Sequence, residues 1–204
     1  MVSTRSGGGD KRELIVKASA DVFAERGFAS TRVADIAERA GIGKGTVYEY
    51  FSSKEELLFA VFEWINDGIA KRVREALAEG GSSHDRLVRL LRLGAEIVQD
   101  QVEMQAVTLD FWAASRGSGL EDRFNKACLA SYRTFREIIA GIVREGQAGG
   151  EFLTDIDAEA IATMIVSAMD GLGVQIFFDR SLDPYQAVDG LAGVLLRGLE
   201  GEAT

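Results

Sequence analysis

Apolar residues recur along most of this sequence at intervals of three and four positions, without a sustained alternation of apolar and polar residues. Such spacing places the apolar side chains on one face of an α-helix, whereas alternation would indicate a half-buried strand. Proline, which interrupts helices, occurs once in 204 residues. The pattern therefore predicts an all-α protein of about nine helices.

The first quarter of the chain contains three of these predicted helices in quick succession. Residues 1–9 are polar and glycine-rich, and we expect them to form a disordered tail. A helix over 10–26 follows, closed by Gly27. Thr31 is a plausible N-cap for a short helix that ends near residue 40, and another short helix is predicted over 44–51.

Longer helices are predicted over the remainder of the chain. Ser53 and Glu56 have the spacing of a capping box, which opens a helix that ends near the glycines at 80–81. The further predicted helices cover about 84–100, 103–116, 120–148, 156–179 and 184–199.

The segment 160–178 is apolar almost all round and is close to the roughly 20 residues that cross a membrane. Asp170 lies in its middle, and a central aspartate costs about 2.5–3.5 kcal/mol to insert into a bilayer. At this point the segment can be interpreted either as a membrane span or as a helix of the protein core. We favour a helix buried by other helices and expect no membrane partner.

Residues 31–51, with the sequence TRVADIAERAGIGKGTVYEYF, have the layout of a helix-turn-helix. Gly41 can adopt the positive φ that a sharp turn requires, and Ile36 and Val47 are spaced to pack the two helices together. An ordinary helical corner with a solvated face is the alternative.

The residues left outside this packing suit DNA. Lysine, threonine and tyrosine donate hydrogen bonds to phosphate oxygens, and Gly45 lets the backbone come close to a duplex. Lys54, in the first turn of the next helix, could bind a phosphate together with backbone N–H groups. Glu49 either accepts a hydrogen bond from a cytosine amino group or faces solvent.

The stretch 11–62 resembles the DNA-binding domain of TetR-family transcriptional regulators. The similarity lies in a helix ending ERGF, then the order S-T, I-A, A-G-I, K-G-T-V-Y, Y-F, and finally S-K-E-E-L-L. The resemblance implies a three-helix helix-turn-helix domain over 10–54 and a larger helical ligand-binding and dimerisation domain over 55–204. The operator contacts that it implies are Thr31, Arg32, Lys44, Gly45, Thr46, Tyr48, Tyr50 and Lys54.

By the same resemblance, the protein is a dimeric repressor that binds a palindromic DNA operator and is released by a small-molecule effector. The end of the chain is similar to the last two helices through which such regulators form homodimers. Glycines at 190 and 193 permit close approach, and the apolar face comprises Leu191, Val194, Leu195 and Leu199. The alternative is that these leucines and valine belong to the core of one chain.

The middle of the chain carries aromatic residues and methionines at helical spacing, together with a few polar groups such as Asp110. Such a set could line a pocket for a small apolar or aromatic organic effector, although plain core is the alternative. The candidate effector residues are Trp64, Met104, Phe111, Trp112, Tyr132, Phe135, Asp170 and Phe178. Cys128 fits a buried inert thiol better than a redox sensor.

Composition narrows the possible chemistry. One cysteine and one histidine exclude a disulfide framework within the chain and leave too few ligands for a His-based metal site, so we expect neither metal nor cofactor. No signal-peptide pattern opens the sequence, which favours the cytoplasm. An enzyme on the same scaffold is a competing hypothesis, but the sequence shows no nucleophile motif. A DNA-binding architectural protein or activator without an effector is another.

The net charge of −9 argues at first against a nucleic-acid partner, since phosphates repel an acidic protein. The charge is unevenly divided, however. Residues 1–54 hold nine basic and seven acidic side chains, whereas the rest of the chain holds fourteen basic and twenty-five acidic. The net charge therefore does not exclude DNA, and its distribution indicates the N-terminal end as the end that binds.

Overall fold

The structure is a computed structural model that describes residues 7–115 and 121–201, including the side chains of 10–105, 107–110 and 121–201. This part of the chain forms nine α-helices and no strand, as the apolar periodicity predicts. The helices are α1 (Gly7–Arg26), α2 (Val33–Arg39), α3 (Lys44–Tyr50), α4 (Lys54–Ala78), α5 (Ser83–Asp100), α6 (Met104–Ser115), α7 (Glu121–Gly149), α8 (Ala158–Phe178) and α9 (Pro184–Glu200).

The start of α1 differs from the prediction. The helix begins at Gly7, so Gly7–Gly9 are not part of a disordered tail, while residues 1–6 lie outside the described residues. Glycine has a low helix preference, but extending an existing helix adds one backbone hydrogen bond per residue fixed, without a new nucleation cost.

The chain divides into two compact units. The first comprises the described residues up to Asp67 together with those of Glu103–Lys126, and the second comprises the described residues of Gly68–Val102 and Ala127–Thr204. This division falls within α4, whereas the sequence predicts a domain boundary after residue 54. The first half of α4 belongs with the N-terminal helices because its apolar residues are buried there, and the Phe62 and Phe124 rings pack edge to face with centroids 5.1 Å apart.

In the first unit, α1 packs against α2 and α6, and α2 packs against α3. The core of this unit is built from fully buried apolar side chains that include Ile15, Val22, Phe23, Ile36, Val47, Leu57 and Phe59. α1, α2 and α4 contribute residues at the three- and four-residue spacing seen in the sequence, and α3 contributes Val47. This core holds the short helices α2 and α3, which are too short to be stable alone.

In the second unit, α5 packs against α8 and α9 around a core that includes Leu87, Leu91, Ala162 and Val188. Leu199 is also buried in this core, so it does not belong to an outer face of α9 as the dimer prediction required.

The prediction that other helices bury α8 is wrong for a single chain. By length and composition α8 could cross a membrane, yet only 22% of its most apolar stretch is buried. Met164 is 66% exposed and Phe178 is 75% exposed. The helix packs on α5 along one side and leaves an apolar side uncovered within the part of the chain that the structure describes.

Candidate functional site

α2 and α3 form a helix-turn-helix in which the turn is closed by backbone hydrogen bonds. Gly41 adopts a φ of +66°, as predicted, and its N–H donates to the Glu38 carbonyl at 3.1 Å. The Ile42 N–H donates to the Ala37 carbonyl at 3.0 Å. Fully buried Val47 anchors the inner face of α3, so the remaining positions of α3 are available to a partner.

The start of α2 is organised by Asp35 and not by Thr31. The Asp35 carboxylate accepts the Arg32 backbone N–H at 2.9 Å and the Arg32 guanidinium at 3.1 Å. The hydrogen bond from the Arg32 side chain is the main reason why the pKa of Asp35 lies below its ordinary value. Arg32 is therefore the N-cap residue, and its side chain remains largely exposed to solvent.

Thr31 is buried, which corrects two predictions. Its hydroxyl donates to the Gly27 carbonyl at 2.8 Å, and the residue is 2% exposed. Its hydroxyl is committed to closing the turn after α1, so it neither caps α2 nor lies on a face that a phosphate can reach.

The outward face of α3 carries most of the other predicted DNA-contacting residues. Lys44, Gly45 and Tyr48 are exposed, while Thr46 and Tyr50 are partly exposed. The Lys44 ammonium lies 5.7 Å from the centroid of the Tyr48 ring, a cation–π arrangement in which both groups stay accessible. This face therefore offers an ammonium, hydroxyl groups and a close backbone approach, which are the groups that bind phosphates and base edges.

Lys54 is held differently from the prediction. Its ammonium donates to the carbonyl oxygens of Phe28 at 2.7 Å and Thr31 at 3.0 Å, and lies 4.3 Å from the centroid of the Phe28 ring. Carbonyl groups just after the end of a helix attract a cation. In this structure the Lys54 ammonium consequently binds the turn between α1 and α2, whereas the sequence predicts that it binds a phosphate.

Asp110 holds the same turn from α6. Its carboxylate accepts the Phe28 backbone N–H at 2.6 Å. Gly27 at the start of the turn has a φ of +73°, and a Cβ added there would lie 3.3 Å from the Asp110 carboxylate. Phe28 and Asp110 are 82 positions apart, so no local pattern in the sequence reveals this contact. The sequence instead suggests Asp110 as a polar group of an effector pocket.

In the second unit, the structure brings together two of the predicted effector residues. Tyr132 on α7 lies close enough to Asp170 on α8 for each residue to shift the pKa of the other. Although water reaches Asp170, the surrounding protein raises the pKa of its carboxyl, and the interaction with Tyr132 opposes that rise only in part. Burial, with a smaller contribution from the Asp170 charge, raises the pKa of Cys128 to about 11, which favours an inert thiol.

Comparison with known proteins decides the family. A sequence model of bacterial regulatory proteins of the tetR family matches residues 15–61. A model of the C-terminal domain of BetI-type transcriptional repressors matches residues 83–199, more than half of the chain. The chain belongs to the TetR family of transcriptional regulators.

Individual members of the TetR family are similar over most of the chain. The transcriptional repressor KstR2 of Rhodococcus jostii is 32% identical over 155 residues, which cover 76% of this chain and 74% of that repressor. A transcriptional regulator from Saccharomonospora viridis, solved in complex with choline, is 25% identical with a TM-score of 0.73, covering 93% of this chain and 96% of that one. FadR of Bacillus subtilis, solved with stearoyl-CoA, is 26% identical with a TM-score of 0.70, covering 92% and 99%.

These findings confirm the predicted class. Members of the TetR family are DNA-binding transcriptional regulators and not enzymes, and the fold combines an N-terminal helix-turn-helix domain with a larger helical domain. Two of the related structures hold small ligands.

The other predicted effector residues are divided between the two units of this TetR-family chain. Trp64 and Met104 belong to the first unit, and Phe135 lies with Tyr132 on α7 in the second. Phe178 is a correction: its exposed ring packs against Phe177 at the end of α8, so it does not line an enclosed pocket of one chain. The side chains of the two remaining candidates lie outside the described residues, namely Phe111 and Trp112.

Proposed function

We propose that this chain is a homodimeric transcriptional repressor that binds a palindromic DNA operator and is released when a small organic effector binds. The observation that carries the proposal is the outward face of α3, where Lys44, Gly45 and Tyr48 are exposed beside partly exposed Thr46 and Tyr50. Arg32 extends this face at the start of α2. Helix-turn-helix regulators place such a face in the major groove.

The homodimer is supported by the apolar surface that α8 and α9 leave uncovered. Met164 and Phe178 on α8 are mostly exposed, and Val194 on α9 is 65% exposed. Monomeric soluble proteins rarely leave large contiguous apolar patches in water. A second copy of the chain covers them and also supplies the second reading helix for a half-site about 34 Å, or a multiple of it, away.

The effector is supported by Tyr132 and Asp170, two of the predicted effector residues, which lie close enough to shift each other's pKa. A polar pair of this kind orients a mainly apolar or aromatic ligand, whose binding shifts the balance between a DNA-binding state and a released state. The ligands in two related regulators, choline and stearoyl-CoA, support a small organic effector without fixing its identity.

Two features support a cytoplasmic protein that binds DNA: the distribution of charge along the chain and the aspartate in the middle of the apolar helix α8. The excess of acidic residues lies outside the first 54 positions, so the net charge of −9 does not fall on the end that meets DNA. Asp170 lies in the middle of α8, and a carboxylate there is costly to place in lipid. The surface of a partner protein therefore suits the exposed side of α8 better than a membrane does.

The test combines a gel mobility shift on DNA from upstream of the chain's own gene with analytical ultracentrifugation. We expect a sequence-specific shift that a metabolite library reverses in at least one well, and a species of twice the 22.1 kDa chain mass. A shift that no metabolite reverses would favour an effector-free DNA-binding protein. The absence of a shift, or a monomer at micromolar concentration, would contradict the proposal.

Transcription in vitro then separates repression from activation. We expect added protein to reduce transcript from the bound promoter, because a dimer seated on the operator competes with polymerase. An increase in transcript would show an activator and would overturn the repressor part of the proposal.

A further inference from the structure

Glu49 lies near the centre of the outward face of α3. Successive helical residues are turned by about 100°, so Gly45 and Glu49 both point about 160° away from the buried Val47, one turn apart. The Glu49 side chain is exposed, and its carboxylate has no hydrogen bond or ion pair with any described residue. The acidic group is thus directed at whatever binds this face.

Gly45 leaves open space along the same stripe of α3. A Cβ added at Gly45 would meet no described atom within 4 Å, and the residue has helical backbone geometry. Glycine in a helix destabilises it relative to alanine. Neither crowding nor backbone geometry within the described chain requires glycine there, and the missing side chain leaves room for a duplex to come close to Glu49.

A carboxylate at this position distinguishes between DNA sequences. Phosphates repel it, so it weakens binding at sites where it has no hydrogen-bond donor. In the major groove the amino group of cytosine is a donor that a carboxylate accepts well. The amino group of adenine lies beside the N7 acceptor, which repels a second acceptor.

We propose that Glu49 is a specificity-determining residue whose carboxylate accepts a hydrogen bond from a cytosine amino group in each half-site. The inference rests on the proposed function, since it requires that α3 enters the major groove. The Glu49 carboxylate would then weaken binding to DNA sites that lack a C·G pair at one position of the half-site.

The test is selection of bound sequences from random DNA with the wild type, Glu49→Gln and Glu49→Ala. The wild type is expected to require a C·G pair at one position of each half-site. The variants are expected to lose that requirement, which reduces discrimination at this position by roughly 5- to 150-fold per half-site, the range of one base contact. Their affinity for non-specific DNA is expected to rise.

Glu38→Gln is the matched control, because it removes one exposed negative charge from α2 in the same domain. It is expected to leave the base preference unchanged at every position. Thermal unfolding of each variant confirms that the domain is folded.

The outcomes separate this inference from the function on which it rests. A wild type that selects no sequence overturns the proposed function and the inference together. A wild type that selects a palindrome, while Glu49→Gln and Glu49→Ala keep the same base preference at all positions, overturns the inference alone. Loss of the same preference in Glu38→Gln would also overturn it, because a general charge effect would then suffice.

Discussion

α3 and α8 each leave one face uncovered by the described residues, and the chemistry of the two faces is opposite. The uncovered face of α3 carries Lys44, a glycine and Tyr48, whereas that of α8 carries Met164 and Phe178. A polar face with donors matches phosphates and base edges, while an apolar face gains by leaving water against another protein surface. The kind of partner can therefore be inferred from the face that the fold leaves open.

The two helices also differ in what holds them. α3 has seven residues and depends on its support: buried Val47 below, the turn at Gly41, and α2 beside it. α8 has 21 residues and packs on α5 along one side. Changes to the buried residues that hold α3 in place should thus alter both folding and DNA binding, whereas changes on the open side of α8 or α9 should alter assembly alone.

The largest expected effect comes from placing charge on the apolar surface. Val194→Glu should convert the dimer into a folded monomer, because an uncompensated buried charge costs about 3–5 kcal/mol and two-fold symmetry places two in the interface. Operator affinity should fall with the dimer. Analytical ultracentrifugation at micromolar concentration is the measurement.

Leu14→Glu is the matched control, since Leu14 is an exposed apolar residue on α1, in the first unit. This variant should remain dimeric. Monomers from Leu14→Glu, or dimers from Val194→Glu, would show that the open faces of α8 and α9 are not the interface.

The second effect concerns Lys54, whose ammonium binds carbonyl groups of the turn between α1 and α2. Lys54→Met keeps an apolar stem and should lower the free energy of unfolding by about 1.5–3 kcal/mol, the contribution of charged hydrogen bonds. Chemical denaturation measures this loss. Two results together would contradict this assignment and support the phosphate contact that the sequence suggested. The free energy of unfolding would be unchanged, and the slope of log affinity for DNA against log salt concentration would become shallower by about one.

The third effect separates helix stability from DNA binding. Gly45→Ala should raise the free energy of unfolding by about 0.5–1 kcal/mol while lowering operator affinity, because the new methyl group stands on the face that meets the duplex. Gly68→Ala, at another helical glycine with open space around it, should give the same stabilisation and leave operator affinity unchanged. Unchanged affinity in both variants would remove α3 from the DNA interface.

The smallest effect is a pH dependence within the second unit. The pKa of Asp170 is raised above its ordinary value of 3.8, so this group favours folding in acid, and the benefit is lost as the pH rises through the folded-state pKa. Asp170→Asn keeps an acceptor for Tyr132 and removes the charge. Its melting temperature should exceed that of the wild type at neutral pH, with the difference shrinking toward about pH 4. A difference that stays constant with pH would contradict the assignment.

Most of the fold could be predicted from local sequence signals. The turn at Gly41, the buried Ile36 and Val47, and the helix start at Ser53 follow from short-range spacing and capping chemistry. The outward face of α3 follows from the same spacing, since it consists of the positions that the buried residues leave over.

The remainder depends on contacts between distant segments, which no local pattern reveals. Thr31 has the right side chain for an N-cap, but its hydroxyl donates a hydrogen bond to the carbonyl of Gly27 instead. Lys54 and Asp110 meet the turn after α1 from 26 and 82 residues away. The apolar pattern of α8 likewise could not show whether the surface that packs against it belongs to the same chain or to another chain.

The central claim is that the outward face of α3 reads DNA, and Tyr48→Ala tests it most directly. Affinity for the operator should be measured for the wild type and this variant at equal dimer concentration, after ultracentrifugation shows both to be dimers. We expect operator affinity to fall by about 1–3 kcal/mol for each half-site, with the dimer and the melting temperature unchanged. Equal operator affinity for the two dimers would contradict the account.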